Sequence, residues 1–403
     1  MTATPAPSDQ RAAVAAGFLG WTLDAFDFFL VVMTLTAIAK EFGTSDAKIA
    51  LTLLVTLLFR PLGAFIFGLL ADRYGRKLPL MLDLVFYSLI EVLSGFAPNY
   101  STFLVLRALF GIGMGAEWGV GASLVMEKVP PRLRGVISGV LQQGYAAGYL
   151  LAALCYFLVF PRWGWRPLFF IGGLPALLAL FVRARVQESE AWRETREESW
   201  RGLGRAIQRN LQTFLYITAL MWMMNLVSHG TQDLYPTFLR RHWGFGTGQV
   251  VALTALSMVG ALTGGVLFGL YSNQLGRRRA IVLALGGALV VIPLWCFATS
   301  LPALLAGAFV IQFFVQGAWG VIPAHITELS PSAVRGFLPG FGYQCGAALA
   351  GAVPYLEARL AEHMSYAWAM ALSAATAFVL AAAVAWLGPE RRGVAFGREA
   401  SYR

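Results

Sequence analysis

The stretch Gly68-Leu-Leu-Ala-Asp72-Arg73-Tyr-Gly75-Arg76-Lys77 returns in weaker form as Gly269-Leu-Tyr-Ser-Asn273-Gln-Leu-Gly276-Arg277-Arg278, with an amide in place of the acid. The same offset of 201 residues carries Trp118-Gly119-Val120 to Trp319-Gly320-Val321. It also carries Glu127, Pro130, Arg134, Gly135, Gly139 and Gln143 to Glu328, Pro331, Arg335, Gly336, Gly340 and Gln344. The chain is therefore two parallel copies of one unit. Gly68, Gly75 and Gly276 permit tight turns and close helix approach, while Asp72, Arg73, Arg76 and Arg277 supply charges that pair in one arrangement and separate in another. An apolar, duplicated chain of 403 residues reads as a carrier whose site lies between the halves near mid-membrane and opens to each side in turn.

Composition points to a bilayer as the solvent. Hydrophobic residues make up 58% and charged residues 13%, and mean hydropathy is +0.64. So little polar surface does not solvate a globule of this size in water. Apolar runs of roughly 20 residues lie near 14–39, 49–71, 78–97, 102–126, 136–160, 166–183, 211–238, 248–271, 279–299, 302–326, 337–358 and 365–387. These twelve spans predict an all-α membrane protein made of two pseudo-symmetric six-helix bundles. The expected organisation is a tail at 1–13, a bundle at 14–183, a charged linker at 184–210 read as a short helix, a second bundle at 211–387 and a tail at 388–403. The first span is too long and too unmarked at its end for a cleaved signal.

Topology accounts for the net charge of +10. With the amino terminus inside, about 22 of the 31 Lys and Arg residues fall on inward connections, where they match an anionic leaflet. The expectation is a multi-pass protein of a bacterial inner membrane with both termini cytoplasmic. A basic stripe with interleaved aromatics is missing, which argues against nucleic acid. The three cysteines are scattered through apolar spans, and the four histidines lack ligand spacing. The expected partners are a small organic anion, protons and the lipid bilayer, with no cofactor, metal or obligate protein partner implied.

An ionised group inside the bilayer costs several kcal/mol unless it is paired or hydrated, so charges within spans mark function. Asp24 and Asp27 lie three apart on one face of the first helix and are the leading proton carriers. Two carboxylates in one low-dielectric cavity do not both ionise cheaply. The competing reading is a static pair with one aspartate held by Arg60 or Arg107. Arg60, in Leu58-Phe59-Arg60-Pro61, has no partner adjacent in sequence, and its fork of donors suits a carboxylate. The repeat places Ala261 at the matching position, so this charge breaks the symmetry. Arg107 and Glu117 bracket the run Gly111-Ile-Gly113-Met-Gly115 and join the proton-coupling set, Arg107 either as partner to a helix-one aspartate or as a structural pair.

Helix seven contains Asn225-Leu-Val-Ser228-His229-Gly-Thr231-Gln232-Asp233. Asn225, Ser228, His229 and Gln232 fall at spacings of three, four and seven and form one polar stripe on an apolar helix. The repeat sets Asn225 and Ser228 opposite Asp24 and Asp27, so both symmetry-related helices present polar groups and only one presents acids.

The doubled loop resembles the signature between helices two and three of the major facilitator superfamily. The helix-seven string, through Thr237, resembles that of fungal lactate and pyruvate permeases, which group with bacterial sialic-acid transporters in the sialate:proton symporter family. Gly20-Trp21-Thr-Leu-Asp24-Ala-Phe-Asp27 and Gln316-Gly-Ala-Trp319-Gly-Val-Ile-Pro323-Ala-His325 are similar to that family too. Helix four resembles that of sugar porters and aromatic-acid:proton symporters. The resemblance implies carboxylate binding by Arg60 and substrate or proton handling by His229, Gln232 and Asp233; Asn225, Gln316 and Gln344 complete the expected substrate set. Sialic-acid members can carry extra central helices, so the short linker points to a monocarboxylate of lactate or pyruvate type taken up with a proton. Sialic-acid and aromatic-acid uptake are the alternatives. Drug efflux is disfavoured because Gly144-Tyr-Ala-Ala-Gly148 lacks a Gly-Pro pair, and an enzyme or nutrient sensor because no catalytic constellation or signalling tail is found.

Gln232→Ala is expected to alter the relative affinities for 2-hydroxy and 2-keto acids, since an amide donates to one oxygen and accepts from another. Competition by lactate and pyruvate measures this. Equal loss for every acid, with poor expression, makes Gln232 structural.

Overall fold

The computed structural model describes residues 7–196, 199–232, 235–351, 360, 361 and 363–396. The amino half holds α1 (Pro7–Glu41), α2 (Asp46–Tyr74), α3 (Lys77–Gly95), α4 (Tyr100–Lys128), α5 (Pro131–Trp163) and α6 (Arg166–Arg185). The carboxyl half holds α7 (Leu211–Gln232), α8 (Thr247–Leu275), α9 (Arg277–Cys296), α10 (Leu301–Leu329), α11 (Leu338–Ala350) and α12 (Tyr366–Leu387). Among the described residues, eleven helices are long and apolar enough to cross a membrane. The remaining expected span, 337–358, is described as α11 to Ala350, and most of the rest of it lies outside the described residues. Two features differ from expectation. The linker forms two short helices, Glu190–Thr195 and Trp200–Arg209, each capped by the serine before it. α1 is helical already at Pro7, ahead of the expected span at 14, and in this early stretch Asp9 is buried, pairs with Lys128 of α4 and accepts the backbone N–H of Gln187.

The duplicated sequence folds into duplicated contacts. A Cβ on Gly63 would lie 1.6 Å from the carbonyl oxygen of Ile112, and one on its repeat mate Gly264 would lie 1.8 Å from that of Phe313. The same glycine thus locks α2 to α4 and α8 to α10 through close backbone approach. Large apolar side chains such as Phe157, Val290 and Leu387 point outward, as a lipid-facing surface requires.

The connections after α2, α4, α8 and α10 gather at one end, the basic end, where the halves are bound together by a crossed relay. Arg76 pairs with Asp72 at 2.7 Å and with Glu127 at 3.0 Å, and Glu127 also receives Arg335 from the other half at 3.4 Å. The repeat mirrors this: Arg277 pairs with Glu328 at 2.9 Å, and Glu328 faces Arg134 of the amino half at 3.7 Å. These side chains are almost wholly buried. Asp72 accepts the backbone N–H groups of Gly336 and Phe337 at 2.7 and 2.9 Å. Its mate Asn273 accepts the N–H of Gly135 at 3.3 Å and donates to Arg132 O at 2.8 Å, so the amide keeps the acid's place across the interface. Ser138 donates to Gly320 O and accepts from Ala324 N–H. Gly68 packs on the backbone of Phe337. Arg73, expected in this set, instead stacks on Tyr74, with its ring 5.5 Å from the guanidinium carbon.

Gly75 and Gly276 take φ of 103° and 95°, which only glycine adopts without strain. Each turn is followed by a helix capped from far along the chain. Glu188 accepts Arg76 N–H and Lys77 N–H, and Glu390 accepts Arg277 N–H and Arg278 N–H. A carboxylate there suits the positive end of the helix dipole. The tail after α12 continues across the interface, where the Phe396 ring lies 3.6 Å from the Arg134 guanidinium and 3.8 Å from that of Arg335. The basic end is closed.

Glu127→Gln is expected to destabilise the protein by about 3–5 kcal/mol, because Arg76 and Arg335 lose a buried counter-charge. A fall in thermal unfolding temperature in detergent measures it. An unchanged unfolding temperature contradicts the relay.

Candidate substrate and proton site

Glycines of α4 set the geometry of the first candidate residue. Gly115 fits against the backbone of α2 so closely that a Cβ there would lie 1.9 Å from Arg60 O. α2 continues to Tyr74, so Arg60 sits fourteen residues, about 20 Å, from the basic end. It is 6% exposed, and its guanidinium lies over the Tyr343 ring of α11 at 5.9 Å. Its Nε and Nη2 are buried without a hydrogen-bond partner. The charges facing it belong to Asp24 and Glu117, yet among the described residues neither forms an ion pair with it. Arg60 therefore keeps free donors at mid-depth between the halves.

An aromatic row, not anticipated from the sequence, floors this region. Trp118 stacks on Tyr343 at 4.6 Å, and its repeat mate Trp319 meets the same ring edge-on at 6.0 Å. Trp21 adds an edge contact to Trp118 at 6.4 Å and lies 5.7 Å from Tyr145. The signal was present in the doubled Trp-Gly-Val, which places one tryptophan from each half beside one tyrosine. Gln344 crosses the interface, donating to Gly115 O at 3.4 Å and leaving Oε1 buried without a partner. It touches the same glycine as Arg60.

The α7 stripe is engaged more locally. Asn225 donates to Met221 O at 2.7 Å, and Ser228 accepts the indole N–H of Trp319 at 2.7 Å. Gln232 donates to Gln312 of α10 at 3.3 Å, and Gln312 donates to Thr231 at 3.4 Å. His229 and Gln316 are half-buried on α7 and α10. Asp233 lies outside the described residues.

The acids gather inside the amino half. Asp24 and Asp27 are fully buried, and none of their oxygens has a hydrogen-bond partner. Glu117 likewise has two unpartnered oxygens and packs against Gly20, where a Cβ would lie 2.1 Å from Oε1. Arg107 differs from expectation. Its ion pair is with Glu91 of α3 at 2.6 Å rather than with a helix-one aspartate, and it also donates to Ser94. Phe103, Phe110 and Phe169 enclose the guanidinium at 5.4, 4.5 and 5.5 Å. Asp27 and Glu91 meet at Gly172, where a Cβ would lie 2.7 Å from Asp27 Oδ1 and 2.5 Å from Glu91 Cγ. Sequence reasoning passed over Glu91 and Asp83, yet Asp83, Tyr87 and Glu91 recur every fourth residue on an apolar helix. All three are buried, as a single inward face requires.

The Major Facilitator Superfamily profile matches residues 17–248 and again 234–399. The chain is 30% identical over 353 residues to the sialic acid transporter NanX of Escherichia coli (strain K12), covering 86% of each chain. It is 26% identical over 416 residues to a carboxylic acid transporter protein homolog of Saccharomyces cerevisiae, covering 93% of this chain and 67% of that one. Its fold matches the proton:xylose symporter XylE with a TM-score of 0.79 at 18% identity, covering 96% of this chain and 97% of that one. With two six-helix halves and a profile matched along nearly the whole length, the chain belongs to the Major Facilitator Superfamily, a family of multi-pass membrane transporters rather than enzymes.

Proposed function

We propose that the protein is a proton-coupled symporter that takes up a small monocarboxylate of lactate or pyruvate type across a bacterial inner membrane, with its basic end in the cytoplasm. The observation that carries this reading is Arg60. A buried guanidinium with unpartnered donors, aimed at the seam between the halves, suits two parallel hydrogen bonds to a carboxylate. Gln344 lies on the same glycine, and Asn225, His229, Gln232 and Gln316 supply polar groups from α7 and α10 for the remaining oxygens. Both named relatives transport, by their names, acids that carry a carboxylate. Aromatic-acid uptake is the second reading, favoured by the Trp118–Tyr343 stack beside Arg60.

The closed basic end corresponds to the stage that receives substrate from outside. A proton on Asp24 or Asp27 removes a negative charge that competes with the incoming anion for Arg60. The filled, neutralised site then tolerates closure above it, and the relay at the basic end opens. Coupling arises because the anion binds the protonated state more tightly, and each ligand raises the other's affinity by the same factor.

An uptake panel of lactate, pyruvate, sialate and benzoate in proteoliposomes under an imposed pH gradient tests the substrate class. Arg60→Lys is expected to lower uptake about ten- to a hundredfold although charge is kept, because the bidentate fork is lost. Full uptake by Arg60→Ala removes the anchor role.

Asp24→Asn or Asp27→Asn mimics the protonated acid. The variant of the proton carrier is expected to lose gradient-driven accumulation while exchange of labelled for unlabelled acid continues. Retained accumulation in both variants moves the proton site to Glu117, His229 or Asp233; joint loss of accumulation and exchange makes the pair structural.

A further inference from the structure

We propose that Asp83 is the exit carboxyl of a proton path that runs inside the amino half, from Asp27 and Asp24 past Glu117 to the basic end. The proposal rests on the proton coupling put forward above. It separates the two routes: the organic anion passes between the halves, whereas the proton passes within one of them.

Depth orders the four acids. Asp83 stands six residues from the start of α3 at Lys77, about 9 Å from the basic end at helical rise. Glu117 stands eleven residues before the end of α4 at Lys128, about 16 Å deep. Asp9 marks the basic end of α1 through its pairing with Lys128, which puts Asp24 about 22 Å and Asp27 about 27 Å deep. The row thus descends in steps of about 5–7 Å.

Each member is at most 1% exposed, and each has both carboxyl oxygens without a hydrogen-bond partner. Buried acids retained for structure are paired, as Glu91 is with Arg107 and, at the basic end, Asp72 with Arg76. Tyr87 adds an independent sign. It is fully buried one turn after Asp83, its hydroxyl has no partner, and the charges facing it are those of Asp24, Asp27, Asp83 and Glu117. Gly113 fixes its position, since a Cβ there would lie 2.6 Å from Tyr87 Cβ. One hydroxyl that both donates and accepts therefore lies within the electrostatic reach of four carboxyl groups.

Among the described residues Asp83 forms no hydrogen bond or ion pair. The charged groups facing it are Glu117 of α4 and Asp24 of α1. Of the other helices packed on α3, α6 carries Arg183 and Arg185 exposed at the basic end, and α2 carries Asp72, bonded to Arg76 of the turn before α3, and Arg73, stacked on Tyr74. A proton arriving from Glu117 leaves that group as carboxylate and makes Asp83 the acid; release toward the basic end restores Asp83 as carboxylate. The repeat marks the row as special to one half. Asp24, Asp27, Asp83, Tyr87 and Glu117 correspond to Asn225, Ser228, Ala284, Ala288 and Ala318, none of which ionises.

The test compares wild type, Asp83→Asn and Asp83→Glu in proteoliposomes, using whichever acid of the four-member panel gives the greatest uptake. Proton influx, gradient-driven accumulation and labelled exchange are recorded together. Asp83→Asn is expected to lower proton influx and accumulation about a hundredfold while exchange persists, and Asp83→Glu is expected to restore both. Undiminished proton influx in Asp83→Asn overturns the proposal. So does loss of exchange together with accumulation that Asp83→Glu fails to restore, the pattern of a structural residue. Accumulation by wild type without any proton influx overturns the coupling itself, and this path with it.

Discussion

Two glutamates hold the two halves together. Glu127 and Glu328 each bind the arginine of their own half and face one from the other, so neither bundle satisfies its buried charges alone. Removing such charges from water is costly, and the attraction between them repays that cost only while the geometry is kept. The relay is consequently an all-or-nothing contact. It is strong when closed and dry, and it is lost when water enters and the charges separate. That property suits a machine with two alternating states.

Above this closed end the halves stop being alike. The amino half carries an unpartnered row of acids and the unmatched Arg60, while the carboxyl half offers amides, hydroxyls and aromatic rings at the corresponding depths. In the transport cycle proposed above, symmetry serves the rocking motion, which needs matched surfaces, and asymmetry serves the chemistry, which needs charge in one place. Tyr343 joins the two, with Arg60 above its ring and one tryptophan of each half against it.

Much of this was legible in the sequence because a fixed offset multiplies weak signals. Gly68 to Lys77 alone predicts a turn; its return at Gly269 predicts charges that pair and separate, whereas the parts of Glu127, Glu328, Arg134 and Arg335 in the relay emerge only from the fold. Arg60 stood out because Ala261 takes its place in the repeat. Partners chosen by tertiary packing were not legible. Arg107 took Glu91 because α3 lies against α4 and supplies Ser94 one turn on, a neighbourhood that spacing along α1 does not reveal. Glu188 and Glu390 fall in the linker and the tail, and only the fold brings them to the helix starts after Gly75 and Gly276. Gln232 read as a cavity residue, and its bond to Gln312 depends on how α7 meets α10.

The central claim is that one carboxylate and one proton enter together. Simultaneous recording of labelled acid uptake and external pH around proteoliposomes of the wild-type protein, with membrane potential clamped, tests it most directly. The account predicts that every acid taken up is accompanied by alkalinisation outside, and that a protonophore abolishes accumulation without stopping exchange. Acid uptake with no change in external pH, and with accumulation indifferent to the protonophore, would contradict it.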